Sequence, residues 1–298
     1  MNEVFLSNVE TALLPAGLDA VQGLMTDSLR TSSLAPILAE INGAVNGGKM
    51  LRARLSLKVG AANGTPRDTL LRAAAAVEMI HAASLLHDDV IDGGHLRRGA
   101  PSFWTKKGIS GAILLGDLMV CRALQLLEGT QHGRLGALLV RLAGEMCDAE
   151  VDQELVTRGT TRDWDKCVAI ARSKTGSLFA FAAAATDGTD TSQGEALLEA
   201  GYRIGTAYQL ADDLMDACGE AVRDGKDLGK DARKGKLTSA SALNGSDAPA
   251  RCCIQDLCST SMALLAPWPS VQSAWNEYLQ NDFSPVVKLF AGEHCRPT

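Results

Sequence analysis

Apolar positions recur at three- and four-residue steps along most of the chain, the period of helices that bury one face. Leu70, Ala73, Ala74, Val77, Ile80, His81, Ser84 and Leu85 form one run, and Ile113, Leu114, Leu118, Cys121, Leu124 and Gln125 a second. Leu135, Leu138, Leu139, Leu142 and Met146 form a third. Val168, Ala171, Leu178 and the alanine-rich block 180–185 continue the period, and Leu197, Leu198, Tyr202, Gly205, Tyr208 and Gln209 complete the middle of the chain. The period-two alternation of Val, Ile and Thr that marks strands is absent. Turn residues fall between the runs: Asn46-Gly47-Gly48, Asn63-Gly64-Thr65-Pro66, Gly93-Gly94, Gly99-Ala100-Pro101, Gly188 to Ser192, Gly225 to Gly235 and Asn244-Gly245-Ser246. The pattern predicts an all-α protein of roughly ten to twelve helices. Ala and Gly on several helix faces suit the close packing of a bundle. No linker marks a boundary, so residues 1–298 read as a single domain.

Composition narrows the class. Hydrophobic residues are 46% of the 298, enough for a core and too many for a disordered chain. Aromatic residues are 4% and the formal charge is -6, a poor match to a nucleic-acid binder, which needs stacking platforms and basic surface. The start, Met1 to Leu18, has acids where a signal peptide has basic residues. No run approaches the length of uncharged apolar sequence that spans a bilayer, so no transmembrane segment is expected. The eight cysteines are scattered and form no Cys-x-x-Cys pair, which predicts reduced thiols and a cytoplasmic location.

The sharpest chemical feature is Asp-Asp-x-x-Asp, which occurs twice: Asp88, Asp89 and Asp92, then Asp212, Asp213 and Asp216. With 22 aspartates in 298 residues, roughly 0.1 such motif is expected by chance. On a helix, positions i and i+4 share a face, so Asp88 points with Asp92 and Asp212 with Asp216. A charge run is usually a solvated face. Here each cluster ends an apolar helix, where the helix dipole disfavours negative charge, and each repels itself. Cations would relieve both costs, and several carboxylate oxygens suit Mg²⁺. Basic residues accompany the clusters: Lys49 and Arg52 after Gly47-Gly48, Arg97-Arg98, Lys174-Thr175, Lys226, and Lys236. Metal ligands facing basic donors describe a site for diphosphate groups.

In this arrangement the sequence resembles the trans-isoprenyl (polyprenyl) diphosphate synthases. The resemblance runs in order from about residue 40 to 245. It comprises Gly-Gly-Lys-x-x-Arg at 47–52, Glu78-Met79-Ile80-His81 leading to His87 and the first aspartate motif, Leu96-Arg97-Arg98-Gly99-x-Pro101-Ser102, and Leu115-Gly116-Asp117. Lys174-Thr175, Tyr208-Gln209-Leu210-Ala211 before the second motif, and the Gly- and Lys-bearing stretch from Gly225 to Thr238 follow. Departures are few: after Arg52 the chain has Ala53-Arg54 where the family commonly has a proline, and Ser239-Ala240 stands after the Lys-x-Thr element.

The resemblance implies a barrel-like helical bundle of the isoprenoid synthase type around a central cavity, usually a homodimer. It implies head-to-tail condensation of an allylic diphosphate with isopentenyl diphosphate, dependent on Mg²⁺, with three ions when substrate is bound. Asp88, Asp92 and Asp212 would bind metal directly, with Asp89, Asp213 and Asp216 completing the two motifs. Arg97, Lys174, Lys226 and Lys236 would contact the allylic diphosphate. Lys49, Arg52, His81 and Arg98 would hold isopentenyl diphosphate, and Thr175 and Gln209 would line the reacting carbons. A terpene cyclase, a head-to-head condensing enzyme or a non-catalytic partner subunit would share the fold. The small Ala83 and Ser84, with Ile80 one turn deeper, leave the chain channel open on this helix. That predicts a product of twenty carbons or more, with Leu118, Cys121 and Gln125 as its floor.

Overall fold

Small side chains set the spacing of this molecule. In the computed structural model the description covers residues 3–45, 48–129, 133–159, 163–186, 192–217, 236–242 and 248–287. The chain opens with α1 (Glu3–Arg30), α2 (Leu38–Val45), α3 (Leu51–Ala62) and α4 (Arg67–Ile91). A two-residue hairpin, Leu96–Arg97 against Ala100–Pro101, leads into α5 (Phe103–Leu126). Then come α6 (Gly133–Val151), α7 (Trp164–Ala171), α8 (Ser177–Ala184) and α9 (Ser192–Ala217). Helices Ala248–Leu264 and Pro269–Tyr278 follow. The fold is all-α, as the periodicity predicts.

The core lies along α4 and α8. Ala73 to Ala76, Val77 and Met79 of α4 are fully buried, as are Phe179 to Ala183 of α8. α4 packs along α5, α3 and α1, and α9 packs against both α8 and helix 248–264. The α8–α9 contact needs glycine: a Cβ at Gly201 would sit 2.5 Å from the Ala180 Cα, and one at Gly205 would sit 2.5 Å from the Gly176 Cα. Gly116 plays the same part between α5 and α4, where a Cβ would meet the His87 ring at 2.3 Å.

One sequence expectation fails here, that of uniformly reduced thiols. α4 and α5 contain windows long and apolar enough to cross a bilayer, with mean hydropathy 1.3 and 1.5. Their apolar character has a packing cause: α4 is a core helix, and α5 lies along it while leaving Ile109, Ile113 and Leu114 exposed. α5 is also broken by Gly108 at φ 78°. Cys252 is disulfide-bonded, so the thiols are not all reduced, while Cys121, Cys147, Cys167, Cys253 and Cys258 are free.

Candidate active site

The C-terminal turn of α4 carries Asp88 and Asp89, and Asp92 caps it. The middle aspartate turns inward. Asp89 is buried and takes a bidentate grip from Arg97, with Nε donating to Oδ2 at 2.7 Å and Nη2 to Oδ1 at 2.8 Å. The second motif repeats this division of labour. Asp213 is buried, accepts from Gln209 Nε2 at 2.8 Å and accepts the backbone N–H of Ser239 at 2.9 Å. Gln209 accepts in turn from Thr175 Oγ1 at 2.5 Å. Asp89 and Asp213 are thus engaged by protein donors. Asp88, Asp92, Asp212 and Asp216 stay half-buried at the two helix ends.

Around Asp88 and Asp92 gather side chains from three other segments. The π-helical turn Asp152–Val156 extends α6, and with its last turn it brings in Glu150, Gln153 and Glu154. A second π-helical turn, Arg172–Gly176, supplies Lys174 and Thr175. The segment 236–242 supplies Lys236. Lys236 is only 4% exposed and meets Asp92 at 3.0 Å, Glu150 at 3.6 Å and Glu154 in a close pair. Lys174 pairs closely with Glu150 and donates to Gln153 Oε1 at 3.0 Å, and Gln153 donates to the Leu237 carbonyl at 3.1 Å. Residues 236–239 therefore connect the two motifs, with Lys236 on Asp92 and Ser239 on Asp213.

Four carboxylates share this volume with two ammonium groups, and the electrostatics show the imbalance. Burial pushes Asp88 up to about 6; Lys174 opposes that rise, while Glu150 and Asp92 add to it. Burial works against the charge of Lys174, but Glu150 and Asp88 outweigh it and hold the ammonium above its ordinary value. Lys236 is raised in the same way, with Glu154, Asp92 and Glu150 overcoming burial. A divalent cation fits this donor set: hard oxygen ligands carrying two charges more than the lysines balance. Among the described residues, no three metal-ligating side chains already converge on one point. Lys174 and Lys236 stand among these carboxylates.

A second cationic group lies around Glu78, earlier along α4. Arg52 is buried, with its guanidinium 4.7 Å over the Phe179 ring. Burial lowers it, and Glu78 pulls it back up. Glu78, also buried, is pushed up by burial and held down by Arg52 and by the amides of Ala53 and Arg52. The Ala53 N–H donates to Glu78 Oε1 at 3.0 Å, a bond that a proline at this position could not make. Gly48, at φ 119°, makes room for Arg98: a Cβ there would lie 2.6 Å from the guanidinium. Burial lowers Arg98, with Arg97 beside it acting in the same direction. His81, Glu78, Met50, Arg97 and Arg98 line one cavity of about 210 Å³.

Of the other residues singled out by sequence, Lys226 lies outside the described residues. Ile80 and Ala83 are buried in the core, while Ser84 is half-buried and donates to the His81 carbonyl at 2.9 Å. Cys121 and Gln125 are exposed on α5, so within one chain they do not form a floor. The sequence reading passed over Glu150, Gln153 and Glu154. The signal was an acid-rich stretch, Asp148 to Glu154, interrupting an apolar helix.

The helical bundle is that of the isoprenoid synthases. Crystalline polyprenyl synthase from Caulobacter crescentus CB15, complexed with calcium and isoprenyl diphosphate, matches it with a TM-score of 0.71 and 29% identity over 94% of each chain. The polyprenyl synthetase family pattern matches residues 36–254, and the chain belongs to that family. It is 35% identical over 242 residues to the nonaprenyl diphosphate synthase of Mycobacterium tuberculosis, covering 77% of this chain and 70% of that protein. It is 30% identical over 212 residues to the octaprenyl diphosphate synthase of Haemophilus influenzae, covering 70% of this chain and 64% of that protein. The match therefore spans less than two thirds of the Haemophilus protein's length.

Proposed function

We propose that this protein condenses an allylic diphosphate with isopentenyl diphosphate, head to tail, and releases pyrophosphate. The observation that carries the reading is the presence of two separate cationic sets. Lys174 and Lys236 stand among the carboxylates at the C-terminal end of α4, and Arg52 and Arg98 flank Glu78, ten residues before Asp88. Two diphosphate substrates need two such sets, whereas a cyclase needs one. A non-catalytic subunit would be expected to have lost one aspartate motif, and both are intact.

Asp88, Asp92 and Glu150 from one side, with Asp212 and Asp216 from the other, would hold Mg²⁺. When bound, the ions stabilise negative charge on the departing diphosphate. Lys174, Lys236 and Arg97 hold the same group by charge-assisted hydrogen bonds, which strengthen as its charge grows. Arg52, Arg98, Lys49 and His81 hold isopentenyl diphosphate, so that its double bond meets the allylic carbon at short range. The allylic C–O bond breaks, a C–C bond forms, and the released diphosphate takes the proton lost from the new chain. The small, half-buried side chain of Ser84 supports a product of twenty carbons or more. The exposed Ile109, Ile113 and Leu114 of α5 support a homodimer through that helix.

Purified protein should release pyrophosphate only when Mg²⁺, isopentenyl diphosphate and an allylic primer are present together. Release from the allylic diphosphate alone would indicate a cyclase, and no release under any condition would overturn the reading.

A further inference from the structure

Arg54 has no place in the two cationic sets, yet it ties one of them to a distant part of the chain. Its Nε donates to the Lys49 carbonyl at 2.9 Å, and its Nη1 donates to Asp282 Oδ1 at 3.0 Å. Asp282 lies in the π-helical turn Leu279–Phe283 that extends helix 269–278. Its carboxylate is 7% exposed, and its other oxygen meets Lys58 Nζ at 2.9 Å. Lys58 reaches Glu277 as well, at 2.8 Å. Two nitrogens of one planar guanidinium are therefore fixed on two acceptors at once. The carbonyl held by Nε belongs to a loop with little freedom of its own: Gly48 is at φ 119°, Met50 is at φ 49°, and Arg98 closes against Gly48. A non-glycine residue such as Met50 in the left-handed region is held there by its surroundings.

We propose that Arg54 is a positioning residue: it fixes the backbone of Lys49 at the isopentenyl diphosphate face and makes that face depend on the C-terminal helices through Asp282. The inference rests on the reading of Lys49, Arg52 and Arg98 as the isopentenyl diphosphate set. A plain structural ion pair between α3 and the 279–283 turn would stabilise the fold without distinguishing the two substrates. A lysine at position 54 can keep the charge pair but cannot donate from two nitrogens in one rigid plane.

The test is steady-state kinetics on Arg54→Ala, Arg54→Lys, Asp282→Asn and the Arg54→Ala/Asp282→Asn double variant, with calorimetric titration of isopentenyl diphosphate into each. Arg54→Ala and Arg54→Lys should raise the KM for isopentenyl diphosphate about five- to tenfold, the scale of one hydrogen bond. Their kcat and allylic KM should stay within about twofold, and calorimetric affinity should fall in parallel. Asp282→Asn should produce part of the shift, and the double variant should be no worse than Arg54→Ala. If Arg54→Ala does not fold, Arg54→Lys and Asp282→Asn carry the test. An unchanged isopentenyl diphosphate KM, an equal rise in both KM values, or full recovery with lysine would overturn the positioning role in an active enzyme. A wild type that joins no substrates would overturn the proposed function and this inference with it.

Discussion

Asp88 shows how a single side chain reports the purpose of its surroundings. It shares a half-buried volume with Asp92, Glu150 and two lysines, and its ionised form is disfavoured there. An asparagine removes one crowded charge and keeps the shape. Asp88→Asn should therefore melt at or above the wild-type temperature without metal. Its turnover should fall by orders of magnitude, because losing a metal ligand forfeits several kcal/mol at roughly tenfold per 1.4 kcal/mol. Thermal melts and pyrophosphate release check the two halves, and near-normal turnover would remove Asp88 from the metal site. Ala53 reports a different economy. Proline is tolerated in the first turn of a helix, so Ala53→Pro mainly deletes the bond to Glu78 and leaves a buried carboxylate short of a donor. Urea unfolding should register a loss of about 1–3 kcal/mol. The i,i+4 pairs Asp88–Asp92 and Asp212–Asp216 were legible in the sequence, because they depend only on helical geometry. The inward turn of Asp89 and Asp213 was not, because it depends on Arg97 and Ser239 arriving from other segments.

At the scale of elements, the π-helical turns decide what reaches the site. Sequence periodicity assumes a constant angle per residue, and a π turn shifts the phase of everything beyond it. That is why Glu154 was invisible to helix arithmetic although it sits against Lys236. Lys174 was found by motif rather than by period, for the same reason. The glycines of α9 were read as small-residue faces, and the structure gives them a distance. Gly201→Ala places a Cβ against backbone atoms of α8 that have nowhere to move. It should destabilise by about 1–3 kcal/mol in chemical denaturation, with a wild-type-like loss indicating that α8 and α9 part easily. α4 carries the product-length prediction. Ala83 is part of the packed core, so an aromatic ring there threatens the fold, while the half-buried Ser84 offers the cleaner position. Ser84→Phe should shorten the product, and chromatography of the prenyl chains should detect it. An unchanged chain would mean that the product does not pass this face.

For the whole molecule, the class of fold was legible because helical period and small residues dominate the chain. The exposed apolar face of α5 and the disulfide at Cys252 were not, since both depend on what the folded chain brings near. The proposed division of labour between the two cationic sets is the global feature that matters most. Arg98→Ala should raise mainly the KM for isopentenyl diphosphate, and Lys236→Ala mainly that for the allylic partner. Each removes charge-assisted contacts of about 1.5–3 kcal/mol, or roughly ten- to a hundredfold. Equal damage to both constants would mean that the sets had been divided wrongly. The most direct measurement follows label from isopentenyl diphosphate into extracted prenyl diphosphates, using wild-type protein with Mg²⁺ and an allylic primer. Label should appear in a chain longer than the primer by whole five-carbon steps and should vanish when metal or primer is withheld. Label confined to unreacted isopentenyl diphosphate, with protein folded and all components present, would contradict the assignment of this site to chain elongation.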